Sequence, residues 1–268
     1  MCRLLGYLGT PIQLDKLLYK PEHSLIVQSY QPREMQTALL NADGFGIGWY
    51  HSQKAENPYT YRNILPIWSD LNLPQLSRYV ESGCVVSYVR SATPGLAVDL
   101  SNCQPFSCDR LLFTHNGYID KFRQTLYRPI RNQLNDATYQ FIKGTTDSEH
   151  IFALILHELQ THSSLSLEEA VRNTFIKLRN LANTAQVYFC ANILISDGKC
   201  LVATRYASES PAPSLYWIRD DINYPNAVIV ASEPLFDGNW NRCPEQSLIS
   251  VGGDFEVSIY PIPEKGDS

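Results

Sequence analysis

Between residues 148 and 182 the apolar positions follow a helical period, and on either side of that stretch they read as strands. In 148–160, Ile151, Leu154, Ile155 and Leu159 share one face behind Asp147, a capping candidate. In 167–182, Ala170, Phe175, Ile176 and Leu178 repeat the pattern. Ser166 opens that segment with Glu169 three residues on, the spacing of a capping box. Strand signals precede the pair at 2–8, 44–50, 84–90 and 111–114. After it, 187–195 and 200–205 read as a hairpin around Ser-Asp-Gly, followed by short strands at 215–219, 227–231, 247–251 and 256–260. Strands, two helices and strands again predict sheets packed against helices, an α+β layered fold.

The segment GFGIGWY at 44–50 refines this picture. Glycine alternates with Phe45, Ile47 and Trp49, so one face is apolar and the other bare. A strand of that kind is expected where another backbone approaches closely. The chain has 268 residues, 44% hydrophobic and 18% charged, enough to bury a large core without staples. No repeat, low-complexity run or linker divides it, and a single domain over 2–268 is expected. The net charge of −5 argues against nucleic-acid or anionic-membrane partners, which select clustered Lys and Arg. The longest apolar run, at 151–156, is far short of the ~20 residues that span a bilayer. The N-terminal MCRLLGYLG is too short for a signal peptide and no small-residue cleavage site follows. The expected location is the cytoplasm. Seven cysteines, an odd number thinly spread, make a poor disulfide framework. Cys103 and Cys108 with nearby His115 lack a second paired-ligand motif, so no metal is expected.

Cys2 carries the first chemical signal. Removal of Met1 by the aminopeptidase that tolerates a small second residue leaves a cysteine bearing both a thiol and a free α-amine. The amine, with a pKa of about 7.7–8.0, can take the thiol proton, so nucleophile and base arrive on one residue. The bland alternative is a cysteine that merely begins a strand. Arg90 ends the apolar strand CVVSYVR, where a guanidinium suits bidentate capture of a carboxylate or, more plainly, a surface ion pair. In Thr114-His115-Asn116-Gly117, an Asn side-chain amide beside a Gly N–H supplies the two donors a tetrahedral oxyanion needs. The same dipeptide equally suits a type I′ turn. Asp147 in TTDSE is either a helix cap or the receptor for an ammonium group.

Taken in order, MCRLLGYLG, ADGFGIGWY at 42–50, VRSATPG at 89–95, THNG at 114–117 and TTDSE at 145–149 resemble the class II glutamine amidotransferases, which are N-terminal-nucleophile hydrolases. The first two look closest to a stand-alone subgroup that includes a γ-glutamyl hydrolase of ergothioneine biosynthesis. The resemblance implies a four-layer αββα sandwich, Cys2 as nucleophile with its own amine as base, and Asn116 and Gly117 as oxyanion hole. It implies Arg90 and Asp147 as receptors of the α-carboxylate and α-ammonium of a γ-glutamyl group, with Thr93 and His115 on the substrate side. No cofactor is implied, and the partner is a small γ-glutamyl substrate, with a homodimer left open. The favoured substrate is γ-glutamyl-hercynylcysteine sulfoxide; the alternatives are a glutaminase subunit feeding a separate synthase and a binding protein without turnover. RSATPG departs from the RWATHG-like motif of synthase-linked members, and the 268 residues leave no room for an attached synthase domain.

Overall fold

The computed structural model describes residues 2–35, 40–51, 55–92 and 97–262. Its strands in the first half are β1 (Arg3–Gln13), β2 (Phe45–His51), β3 (Ala55–Asn63), β4 (Glu81–Val89), β5 (Phe106–Cys108) and β6 (Leu111–Ile119). The second half adds β7 (Phe189–Ser196), β8 (Leu201–Arg205), β9 (Tyr216–Asp221), β10 (Tyr224–Ala231), β11 (Asn241–Arg242), β12 (Ser247–Val251) and β13 (Val257–Pro261). The helices are α1 (Asp15–Leu18), α2 (Leu25–Tyr30), α3 (Leu73–Tyr79), α4 (Tyr127–Arg131), α5 (Asp136–Phe141), α6 (Asp147–Thr161) and α7 (Leu167–Ala185).

The strands form two antiparallel sheets, one ordered β11-β9-β10-β1-β4-β2-β3 and the other β13-β12-β8-β7-β6-β5. Period-2 alternation decides what each strand gives to each layer. In β1, Leu5 and Tyr7 pack outward against Leu17 and Leu18 of α1 and Leu25 of α2. Leu4 and Leu8 point the other way, into a core shared with Leu112, Leu194, Leu201 and Ile249 of the second sheet. The outer face of the second sheet is covered by α6 and α7, where Phe113 stacks on Phe152 at 4.8 Å. The result is helices, sheet, sheet, helices, the expected four layers. Burying each large apolar side chain in these layers contributes roughly 1.5–3 kcal/mol. With both faces of β7 covered, its sequence FCANILIS shows no alternation and is buried throughout. In β2, Phe45 and Ile47 join the outer core while Gly46 abuts the backbone carbonyl of Gln104, the close approach its missing Cβ allows.

Two local expectations are corrected. The helix opened at 146 is capped by Thr146, whose hydroxyl accepts from the Glu149 N–H, so Asp147 is the first helical residue and its carboxylate is free for other partners. Asn116-Gly117 is not a turn. β6 runs through both to Ile119, because β7 lies alongside and pairs Asn116 with Asn192 and Gly117 with Ala191. The capping box of Ser166 and Glu169 is present as read, and β1 continues through Gly9 to Gln13.

Candidate active site

The site lies at the end of the sandwich where β1 begins and β4 ends. Antiparallel register sets Arg3 opposite Val89 and Leu4 opposite Tyr88, so Cys2 and Arg90, distant in sequence, extend past the same sheet end. Cys2 is 9% exposed. Its sulfur lies 3.3 Å from the Ser91 N–H and 3.5 Å from the Ser91 carbonyl, and its own carbonyl accepts from Arg3 Nη1 at 2.9 Å.

Arg90 is buried and its guanidinium donates to two carbonyls, Asp43 at 3.4 Å and Ala97 at 3.2 Å. Asp43 in turn accepts the Ala92 N–H at 2.8 Å, fixing the turn after β4. Among the described residues no carboxylate lies within ion-pair distance of Arg90; the Asp99 charge reaches it only through space. Thr93 lies outside the described residues.

β6 supplies the second wall. Leu112 belongs to the inter-sheet core with Cys2, Leu4 and Tyr88, and alternation turns Asn116 toward that same face. Asn116 is 1% exposed, and among the described residues neither its Oδ1 nor its Nδ2 has a hydrogen-bond partner. The N–H groups of residues 115, 117 and 119 alternate toward the edge away from β7. His115 N–H meets Gln104 Oε1 there at 2.5 Å and Ile119 N–H meets Asp147 Oδ2 at 2.8 Å. By the same alternation the Gly117 N–H points to that edge, between these two anchors.

Asp147 is anchored by the Ile119 N–H and, at 2.8 Å, by the Ser148 N–H. It has no cation partner among the described residues. Tyr88 reports how the groups are gathered. Its phenol is pushed well above the ordinary tyrosine range by burial first, then by the negative charge available at Cys2 and a hydrogen bond with that thiol; Arg90 opposes the shift and Asp147 adds to it. A buried phenol therefore stands among the Cys2 thiol, the Arg90 guanidinium and the Asp147 carboxylate.

His115 sits on the opposite face of β6. Nε2–H donates to the Cys190 carbonyl at 3.3 Å and Nδ1 lies 2.9 Å from the Ser148 hydroxyl. Burial lowers its pKa, with the Asp147 charge opposing, so the ring is a neutral post between β6, β7 and the start of α6. The structure thus gathers Cys2, Arg90 and Asp147 around Tyr88, turns Asn116 to the inter-sheet face, and puts His115 behind the strand. Tyr88, Asp43 and Ser91 were missed by sequence reasoning. Tyr88 could have been found from its place two residues before Arg90 on the same strand face. Cys103, Cys108 and His115 face separate partners, and among the described residues no group of three His, Cys, Asp or Glu is placed to hold a metal.

Comparison with known proteins gives the family and the fold. The family model for class II glutamine amidotransferases matches residues 1–260. The chain is 31% identical to a γ-glutamyl-hercynylcysteine sulfoxide hydrolase of Mycolicibacterium smegmatis, covering 98% of this chain and 100% of that protein. It is 30% identical to the "Probable glutamine amidotransferase DUG3" of Saccharomyces cerevisiae, covering 98% of this chain and 84% of that protein. Among solved structures, a glutamine aminotransferase class-II domain protein from Silicibacter pomeroyi superimposes with a TM-score of 0.69 at 25% identity, covering 97% and 98% of the two chains.

Proposed function

Because the chain belongs to the class II glutamine amidotransferases, we propose that it hydrolyses a γ-glutamyl amide bond with Cys2 as nucleophile. The observation that supports this reading is that Arg90 and Asp147, neither ion-paired among the described residues, both act with the Cys2 thiol on Tyr88. An α-amino acid head group carries one carboxylate and one ammonium, and a bidentate guanidinium and a carboxylate are their complements. A glutamyl group held at that end directs its γ-carbonyl along the side chain toward the sulfur.

Loss of Met1 exposes the Cys2 α-amine, which accepts the thiol proton as sulfur attacks the γ-carbonyl. The carbonyl oxygen becomes an oxyanion, and Asn116 Nδ2–H and Gly117 N–H are the donors positioned to receive it. The amine leaves with the proton returned by the α-ammonium, and water then cleaves the γ-glutamyl thioester to release glutamate. Tyr88 holds the thiol from the side, and His115 fixes the strand that presents Asn116.

Among substrates a γ-glutamyl conjugate ranks first, with γ-glutamyl-hercynylcysteine sulfoxide as the leading compound, supported by the 31% identity to a hydrolase named for it. Glutamate release from that sulfoxide, from glutathione and from glutamine, measured on one preparation, tests the reading. Turnover of the sulfoxide well above the other two is expected. Preference for glutamine would assign a glutaminase instead. Turnover of none, or full activity in Cys2→Ala, would overturn the reading itself.

A further inference from the structure

Removal of Met1 makes Cys2 a chain end, and chain ends fray unless they are tied down. The β1 ladder begins only at Arg3, so strand pairing does not restrain the nucleophile. What restrains its peptide unit is a buried ionic cluster on the outer side of the first sheet.

Arg3 and Glu233 are both completely buried. Arg3 Nε lies 2.8 Å from Glu233 Oε1 while Arg3 Nη1 donates to the Cys2 carbonyl at 2.9 Å. Glu233 also accepts His23 Nε2–H at 2.7 Å and the backbone N–H groups of Arg33 at 2.8 Å and Glu34 at 3.1 Å. Gln28 donates to the carbonyls of both His23 and Glu233. The residue before Glu233 is stitched to β1 in both directions, Ser232 N–H to the Leu4 carbonyl and Leu4 N–H to Ser232 Oγ, each at 3.0 Å. The Glu233 carboxylate therefore gathers the nucleophile's strand, His23 just before α2 and the segment after α2, while its backbone carbonyl takes Gln28 of α2.

We infer that Arg3 and Glu233 form a buried strut that sets the position of the N-terminal nucleophile, and that they are positioning residues for the hydrolysis proposed above, on which this inference rests. A buried ion pair recovers little net stability after both charges are desolvated, and an apolar pair of equal volume is often as stable. Geometry is the return here: a displacement of about 1 Å at a reacting group can cost roughly 10²-fold in rate. The pair acts through the Cys2 carbonyl, leaving the thiol and amine free to react.

Arg3→Lys separates position from stability. Lysine keeps the charge beside Glu233 but has one ammonium in place of a planar fork, and cannot hold the carboxylate and the Cys2 carbonyl together in the same geometry. The expected result, per mole of folded protein, is a fall in kcat of about 10-fold or more with KM changed less than about 2-fold. Glu233→Gln, unchanged in shape, should lower kcat in the same way. Arg205→Lys serves as control, altering another buried arginine paired with a carboxylate, Glu245, outside the site; it should lower Tm comparably and leave kcat alone. Parental kcat in Arg3→Lys or Glu233→Gln, or a kcat loss in Arg205→Lys as large as in Arg3→Lys, overturns the strut. Cys2→Ala run in parallel keeps the two readings apart. If it is inactive while Arg3→Lys turns over normally, the strut alone has failed; if it is active, the nucleophile assignment has failed.

Discussion

A buried polar group left without a hydrogen bond costs the folded state about 1–3 kcal/mol, and among the described residues Asn116 has no partner for its amide nitrogen or oxygen. A side chain tolerated at that cost is explained when its partner forms only during reaction. Asn116→Ala should therefore leave Tm unchanged or raise it, while kcat falls on the order of 10²–10³-fold and KM hardly moves. Thermal melts and steady-state kinetics on the same preparation check both signs at once. Early melting with normal turnover would refute the oxyanion role. Arg90→Lys acts on the ground state instead. The ammonium keeps the charge but loses the two-pronged grip on a carboxylate, so KM should rise about 10-fold or more with a smaller change in kcat.

Elements carry these residues, and their ends can be tested separately from their side chains. Thr146 caps α6 at the point where Asp147 enters the site, while Ser166 caps α7 far from it. Either substitution by Ala should cost about 0.5–2 kcal/mol of stability. Only Thr146→Ala should also raise KM, because it loosens the first turn that presents Asp147 between Ile119 and Ser148. Equal KM values in both variants would detach Asp147 from substrate binding. Gly117→Ala probes β6 itself. A Cβ there runs into the Cys190 carbonyl and the His115 ring, so strand and neighbour must separate. Unlike Asn116→Ala, this variant should lose stability and kcat together.

At the scale of the whole molecule, buried titratable groups set how stability falls in acid. His150 is neutral, donating from Nδ1 to the Thr146 carbonyl and accepting from Arg131 Nε, and burial lowers its pKa to about 4. The unfolded chain takes up that proton near 6.5 and the folded chain does not, so stability declines as pH falls from about 6.5 to about 4. Burial alone would push Glu233 up, but the His23 hydrogen bond, the Arg3 charge and two backbone N–H groups draw it down to about 2. Its folded pKa is depressed, so its contribution is complete above the unfolded value of about 4.5 and is lost as pH falls through about 2. Denaturant midpoints should drop in these two windows, and His150→Gln should diminish the first while leaving the second. An unchanged upper window in that variant would contradict the assignment.

What the sequence determined by itself was local. The 3.6 and 2.0 periods marked both long helices and most long strands, Ser166 with Glu169 marked a helix start, and the bare face of GFGIGWY announced a close neighbour. These signals lie within a few residues of one another, where backbone sterics and side-chain spacing decide the outcome. The motifs in their order also carried the family. The tertiary structure decided the rest. Asn-Gly became strand rather than turn because β7 supplied a ladder, and the cap passed to Thr146 because Asp147 was engaged by the backbone of β6. Tyr88 became part of the site only when the register of β1 on β4 set it beside Cys2. The Arg3–Glu233 strut joins residues at opposite ends of the chain, and no window along the sequence holds both. Pairing over such distances depends on sheet order and layer packing, where the burial of many side chains together outweighs the preference of any one segment.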